Sequence, residues 1–144
     1  TANQLATLEH IGAFSTNLPD QPENLPVMPD PFDQSANLEN RAKAYLHINC
    51  AQCHQPGGPT SVSIDLRFDT PLSGMAICDV VPQNGDLGLP NARIVAVGDP
   101  ASSVLLERMN RRDVFGMPPL GSLMVDIAGT NLISQWITSV SICP

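Results

Sequence analysis

The sequence is short of aromatic residues, of basic residues and of long apolar runs. Phe, Trp and Tyr make up only 4% of it, a small stock for filling the interior of a domain. Seven lysines and arginines stand against 14 aspartates and glutamates, a formal net charge of −7. That balance lacks the basic footprint of a nucleic-acid binder and disfavours an anionic membrane surface as partner. No apolar run approaches the roughly 18 residues that a transmembrane helix requires. There is no internal repeat, and compositional bias is confined to one proline-rich stretch. The chain opens on Thr1 with no signal-peptide pattern, which reads as a processed form or a piece cut from a longer polypeptide. Its 144 residues suffice for one domain with a modest core.

What is present is more specific. The run Cys50-Ala51-Gln52-Cys53-His54 has the Cys-x-x-Cys-His form of a c-type haem attachment site. The spacing follows from the chemistry: two thiols on one turn can each add across a vinyl group of the porphyrin. The next residue, His54, then falls beneath the iron as its proximal ligand. Two other readings of paired cysteines fit poorly. A redox dithiol wants its motif at a helix start after a strand, whereas here a helical pattern runs into Cys50. A structural zinc site needs a second ligand pair at metal spacing, and Cys78 and Cys143 stand alone and far apart. The aromatic shortage agrees with haem, because a buried porphyrin is itself a large flat hydrophobe.

Cysteine arithmetic then points to a compartment. Two of the four cysteines are assigned to haem, which leaves Cys78 and Cys143 as an even pair. Thioether attachment and lasting disulfides both belong to oxidising, exported settings, so a Cys78–Cys143 disulfide is expected, and with it a periplasmic or otherwise exported protein. Two buried free thiols are the alternative, since buried cysteine is common.

Along the chain, Leu5, Leu8, Ile11 and Phe14 recur at helical spacing and predict a short helix docked on the domain. Pro19, Pro22, Pro26, Pro29 and Pro31 then enforce extended chain, as a surface wrap or a linker. Residues 1–35 are thus set apart from 36–144. Leu38, Ala42, Tyr45, Leu46 and Asn49 share one face of a helix that delivers the chain into Cys50, with Ser35 or Asn37 as its cap. Pro56-Gly57-Gly58-Pro59 ends regular structure. Loops are expected from about Thr60 to Pro100, with short extended pieces at 65–69 and 93–97. A helix through Val104, Leu105, Leu106 and Met109 opens at Asp99 or Ser102. After Met117-Pro118-Pro119-Leu120, a last helix starts near Asp126 and presents Ile127 or Ala128, Leu132, Trp136 and Val140.

Helix, Cys-x-x-Cys-His, loops, Met-Pro-Pro and a terminal helix with tryptophan, in that order, resemble the class I c-type cytochrome family over roughly Leu38 to Val140. Gly98-Asp99-Pro100 to Met109, Met117-Pro118-Pro119 and Leu132-Ile133-Ser134-Gln135-Trp136-Ile137 resemble haem domains appended to larger exported dehydrogenases. The resemblance implies an all-α, cytochrome c-like fold with long loops around one covalent haem c. In it 36–144 is the haem domain, and Tyr45 and Trp136 pack where the first and last helices cross. The middle loop, longer than in minimal members and carrying Cys78, departs from the pattern.

The sixth ligand decides between electron transfer and chemistry at iron. Met117 is the leading candidate: the prolines behind it stiffen its loop, and the family pattern places the ligand there. Met124 is a rival, Met109 reads as core, and Met75 and Met28 lie in less defined chain. His47 reads as solvent-exposed and His10 as a surface residue. Arg67, Arg93, Arg111 and Arg112 are candidate partners for the haem carboxylates, and the carbonyl of Pro56 or Pro59 for the His54 ring. The reading is therefore a non-enzymatic, His54/Met117-ligated electron carrier. Its partner would be a redox protein, docking through a basic patch, or a fused dehydrogenase domain, with neither nucleic acid nor a membrane span involved. The alternative is a haem enzyme or gas- or peroxide-binding sensor with an open or labile sixth site, against which the absence of an evident distal acid–base histidine counts.

Overall fold

Short polar side chains start the helices by accepting hydrogen bonds from their first free amides. In the computed structural model, which describes residues 3–144, Asn3 accepts from the Leu5 amide and starts α1 (Gln4–His10). Asn37, one of the two expected caps, accepts from Asn40 and starts α2 (Leu38–Cys50). Asp99 accepts from Ala101 and Ser102 and holds the 3₁₀ turn Pro100–Ser102, which leads into α3 (Val104–Asn110). Asp126 accepts from Gly129 and starts α4 (Ile127–Ser139). Among the described residues there is no strand, and the class is all-α.

The core forms where α2 and α4 pack together. Ala42, Tyr45 and Leu46 of α2 are buried in one cluster with Leu132, Ile133, Trp136 and Ile137 of α4, and Leu106 and Met109 of α3 join them. The region between α2 and α3 is irregular, as expected, yet it contributes Ile64, Leu66, Met75, Ile77, Ile94 and Val95 to the same core. The extended piece at 93–97 makes only isolated parallel bridges, Cys78 to Val95 and Arg93 to Ser103. Apolar side chains spaced along a loop carry little periodic signal, so this half of the core was not readable as such.

A disulfide joins Cys78 to Cys143 across 65 positions of sequence. It fastens the middle loop to the chain just beyond α4, and it is consistent with an oxidising compartment. No helix among the described residues is long and apolar enough to cross a membrane.

The N-terminal helix corrects one expectation. α1 forms, but none of its residues is buried, and Ile11 is 68% exposed. Periodicity located the apolar stripe of this helix, of which only Leu5 is half-buried within α1. The helix is tied to the chain that follows by Glu9, whose Oε1 accepts from the Leu18 amide at 2.7 Å.

Candidate functional site

α2 ends in a tight turn that gathers the motif. The Ala51 amide donates to the Leu46 and His47 carbonyls, and the Cys50 carbonyl accepts from the Cys53 amide at 3.1 Å and the His54 amide at 2.9 Å. Cys50, Cys53 and His54 thus lie on one continuation of the helix. Gly58 closes the turn by donating to the Gln55 carbonyl at 2.9 Å. A Cβ at position 58 would collide with the Cys53 carbonyl, so only glycine lets the chain return so near to the motif.

Both motif thiols are free, Cys50 partly buried and Cys53 exposed. Burial, reinforced by Cys53, pushes the Cys50 thiol up to about 12, so it stays protonated at neutral pH. His54 is half-buried, and its Nδ1 is enclosed without any hydrogen-bond partner. Burial, and then the nearby charge of Arg108, lower its proton affinity below that of an ordinary histidine. Both effects favour the neutral imidazole, the form in which histidine ligates metals. Neither Pro56 nor Pro59 supplies a carbonyl to Nδ1.

The motif forms one wall of a predominantly apolar cavity of about 320 Å³. Val62, Ile64 and Leu66, Pro82 to Asn84 and Ile94, and Val104, Leu105, Arg108 and Met109 of α3 also line it. Met117-Pro118-Pro119 completes the lining, so Cys50, Cys53, His54 and Met117 border one space. The Met117 amide donates to the Arg108 carbonyl at 2.9 Å, which sets the loop against α3. A Cβ at Gly116 would lie 2.5 Å from the Arg111 carbonyl oxygen, and its absence lets the loop turn so closely. A second cavity of about 290 Å³ adjoins, sharing Asn49, Cys50, Met109, Met117 and Pro118 with the first.

The other methionines divide clearly. Met109 lines the same cavity but is anchored in the core, Met75 is wholly buried in the core, Met124 is exposed on the rim of the second cavity, and Met28 is exposed. His10 lies at the exposed end of α1. His47 is half-buried rather than solvent-exposed, and its Nδ1 accepts from the Phe68 amide at 3.0 Å. A partner 21 positions away gives no local signal.

The candidate carboxylate partners are mostly engaged elsewhere. Arg67 pairs with Asp65, Arg93 with Asp79, and Arg111 with Glu107 and Asp113. Arg112 donates to backbone carbonyls and borders only the second cavity. The arginine that lines the main cavity is Arg108, held by the carbonyls of Asn84 at 2.9 Å and Phe115 at 3.1 Å. Its signal was present in the sequence: Arg108 follows Val104 by four positions and so falls on the same helical face.

The loop beneath the motif is fixed by a charged fork. Leu66 donates to the His54 carbonyl at 2.9 Å. Next to it, buried Asp65 accepts from Arg67 Nε at 2.9 Å, from Arg67 Nη2 at 2.7 Å and from Thr70 Oγ1 at 2.9 Å. Chiefly through Arg67, these bonds hold the Asp65 carboxyl down at about 2. Because the folded carboxyl binds its proton more weakly than the unfolded one, its contribution is full above about pH 4. It fades as pH falls through 2. Arg67 is 46% exposed, so solvent screening reduces the contribution to about 1 kcal/mol. Denaturation of Asp65→Asn should show a deficit of that size at pH 6 that narrows between pH 4 and pH 2. A deficit constant over that range would mean that Asp65 acts through packing alone.

Comparisons with family models, curated proteins and solved structures returned no match. The functional reading accordingly rests on the cavity and its residues. They suit a c-type haem on four counts: two unpaired thiols, an imidazole with an orphaned buried nitrogen, a thioether, and an apolar lining with one arginine.

Proposed function

We propose that this chain is a monohaem electron-transfer domain of the class I c-type cytochrome kind, working in an exported compartment. One observation carries the reading: Cys50, Cys53, His54 and Met117 border a single apolar cavity. Cys50 and Cys53 would hold the haem through thioethers, and His54 and Met117 would ligate its iron. A haem so held supplies reversible one-electron oxidation and reduction at iron, with a potential raised by the thioether.

The chain's own residues do the rest. Val62, Ile64, Leu66, Ile94 and Val104 keep water from the cavity and lower its polarity. The Cys50 carbonyl and Gly58 fix the turn beneath His54, and the Arg108 carbonyl holds Met117 on its side of the space. Ligands restrained in this way need little rearrangement when charge changes. Arg108 places a fixed positive charge on the cavity wall, suited to a carboxylate edge of the haem. The electron donor or acceptor is a redox protein or a fused dehydrogenase domain.

The test is the optical spectrum of the exported, haem-matured protein, oxidised and reduced, beside Met117→Ala. The expected result is a low-spin spectrum with the weak long-wavelength band of a thioether–iron bond, and loss of that band in the variant. A high-spin spectrum in the unmodified protein would overturn the electron-transfer reading in favour of an enzyme or sensor with an open site. An unchanged band in Met117→Ala would remove Met117 from the iron and leave Met109, which lines the same cavity, as the ligand to test.

A further inference from the structure

The loop bearing Met117 runs between α3 and α4, and little apolar packing holds it. Val114 is 90% exposed, Leu120 85% and Leu123 95%. Hydrogen bonds must therefore set its position. Most of them come from the α3 side: the Met117 amide to the Arg108 carbonyl, Arg108 Nη1 to the Phe115 carbonyl, and Arg111 to Asp113.

Arg112 is different because it reaches both ends. Its Nη1 donates to the Met109 carbonyl at 2.9 Å and to the Arg111 carbonyl, and its Nη2 donates to the Met124 carbonyl at 2.8 Å. Met109 belongs to α3, and Met124 lies two residues before Asp126, the cap of α4. One guanidinium thus ties the end of α3 to the approach of α4, with residues 113–123 suspended between. Its Nε is buried without a partner beside the second cavity. The forked, always-charged head suits two diverging carbonyls in a way that a lysine ammonium does not.

We propose that Arg112 is a positioning residue that latches the 113–123 loop and so keeps the Met117 thioether at the cavity. The latch is argued from hydrogen bonds on its own, but its consequence for iron rests on the His54/Met117 reading. Charged donors to carbonyls are among the stronger hydrogen bonds, so losing the tie to Met124 should raise the open fraction of the loop by at least roughly tenfold.

The experiment compares the haem-loaded protein with Arg112→Ala, Arg112→Lys and, as a control, Arg93→Gln, whose arginine pairs with Asp79. Amide hydrogen exchange at Gly116 and Met117 reads loop opening. Imidazole titration of the oxidised protein, followed by the long-wavelength band, reads access to iron. In Arg112→Ala both loop amides should exchange at least roughly tenfold faster while buried amides of α2 and α4 change less. Imidazole should displace the thioether at about one-tenth the concentration. Arg112→Lys should fall between, and Arg93→Gln should match the unmodified protein. Loop amides that exchange as before, or that accelerate only in step with the core, would overturn the latch. If the unmodified protein lacks the band, the His54/Met117 reading fails while the exchange data still decide on Arg112. If Arg112→Ala does not fold, Arg112→Lys decides, and unmodified exchange in that variant overturns the proposal.

Discussion

Replacing both Cys78 and Cys143 with serine should lower the stability of the chain by about 4 kcal/mol. The bond spans 65 positions, and closing a loop of that length removes conformational freedom chiefly from the unfolded ensemble. What it fastens explains why the folded state depends on it. Around Cys78 the chain is held by few bonds: the Asp79 amide to the Val95 carbonyl at 2.9 Å, the Val95 amide to Ile77 at 3.0 Å, and the Ile94 amide to Val80 at 2.8 Å. No regular sheet extends this ladder. The same loop supplies Pro82 to Asn84 and Ile94 to the cavity wall. The double variant avoids the stray thiol that a single substitution would leave. At roughly 3 °C per kcal/mol for a chain of this size, its melting midpoint should drop by about 12 °C. A drop of under about 3 °C would mean that the middle loop is ordered by its buried Ile77, Val95 and Met75 alone.

The elements readable in advance were those whose instructions are local. α2 and α4 announced themselves by apolar periodicity and by Asn37 and Asp126 at their starts. The turn at Cys50, Cys53 and His54 was legible because two residue types stand there at a fixed spacing. The Cys78–Cys143 pairing followed once two of four cysteines had another assignment. Elsewhere the instructions are not local. His47 is half-buried because Phe68 reaches it from the loop, and Arg93 is engaged by Asp79, 14 positions away. The stripe on α1 is at most half-covered because nothing in its own seven residues determines what packs on it. The cavity wall drawn from Pro82 to Asn84 carries no periodic signal at all. A sequence pattern specifies the face of an element, while the identity of its neighbour depends on chain closure elsewhere.

Gly129→Ala should destabilise the chain by about 1 to 3 kcal/mol, although helix propensity alone predicts the opposite sign. An exposed helical glycine changed to alanine gains about 1 kcal/mol. Gly129 is not exposed: it is buried in the first turn of α4, and a Cβ there would collide with the ring and hydroxyl of Tyr45 on α2. The ring has little freedom to yield, being buried itself and hydrogen-bonded through its hydroxyl to Asp126 Oδ2 at 3.0 Å. The other oxygen of that carboxylate accepts from the Gly129 amide at 3.0 Å. A single acid therefore caps α4 and fixes the ring that fills the space left by the missing side chain. Moving Tyr45 aside breaks its hydrogen bond, at about 1 kcal/mol, and overpacks the crossing of α2 and α4, at a further 1 to 3 kcal/mol. A double-mutant cycle separates this cause from any other. In a Tyr45→Ala background the obstacle is gone, and Gly129→Ala should become neutral or stabilising, a coupling of about 3 kcal/mol. Equal losses in both backgrounds would show that the ring is not what requires glycine at this position.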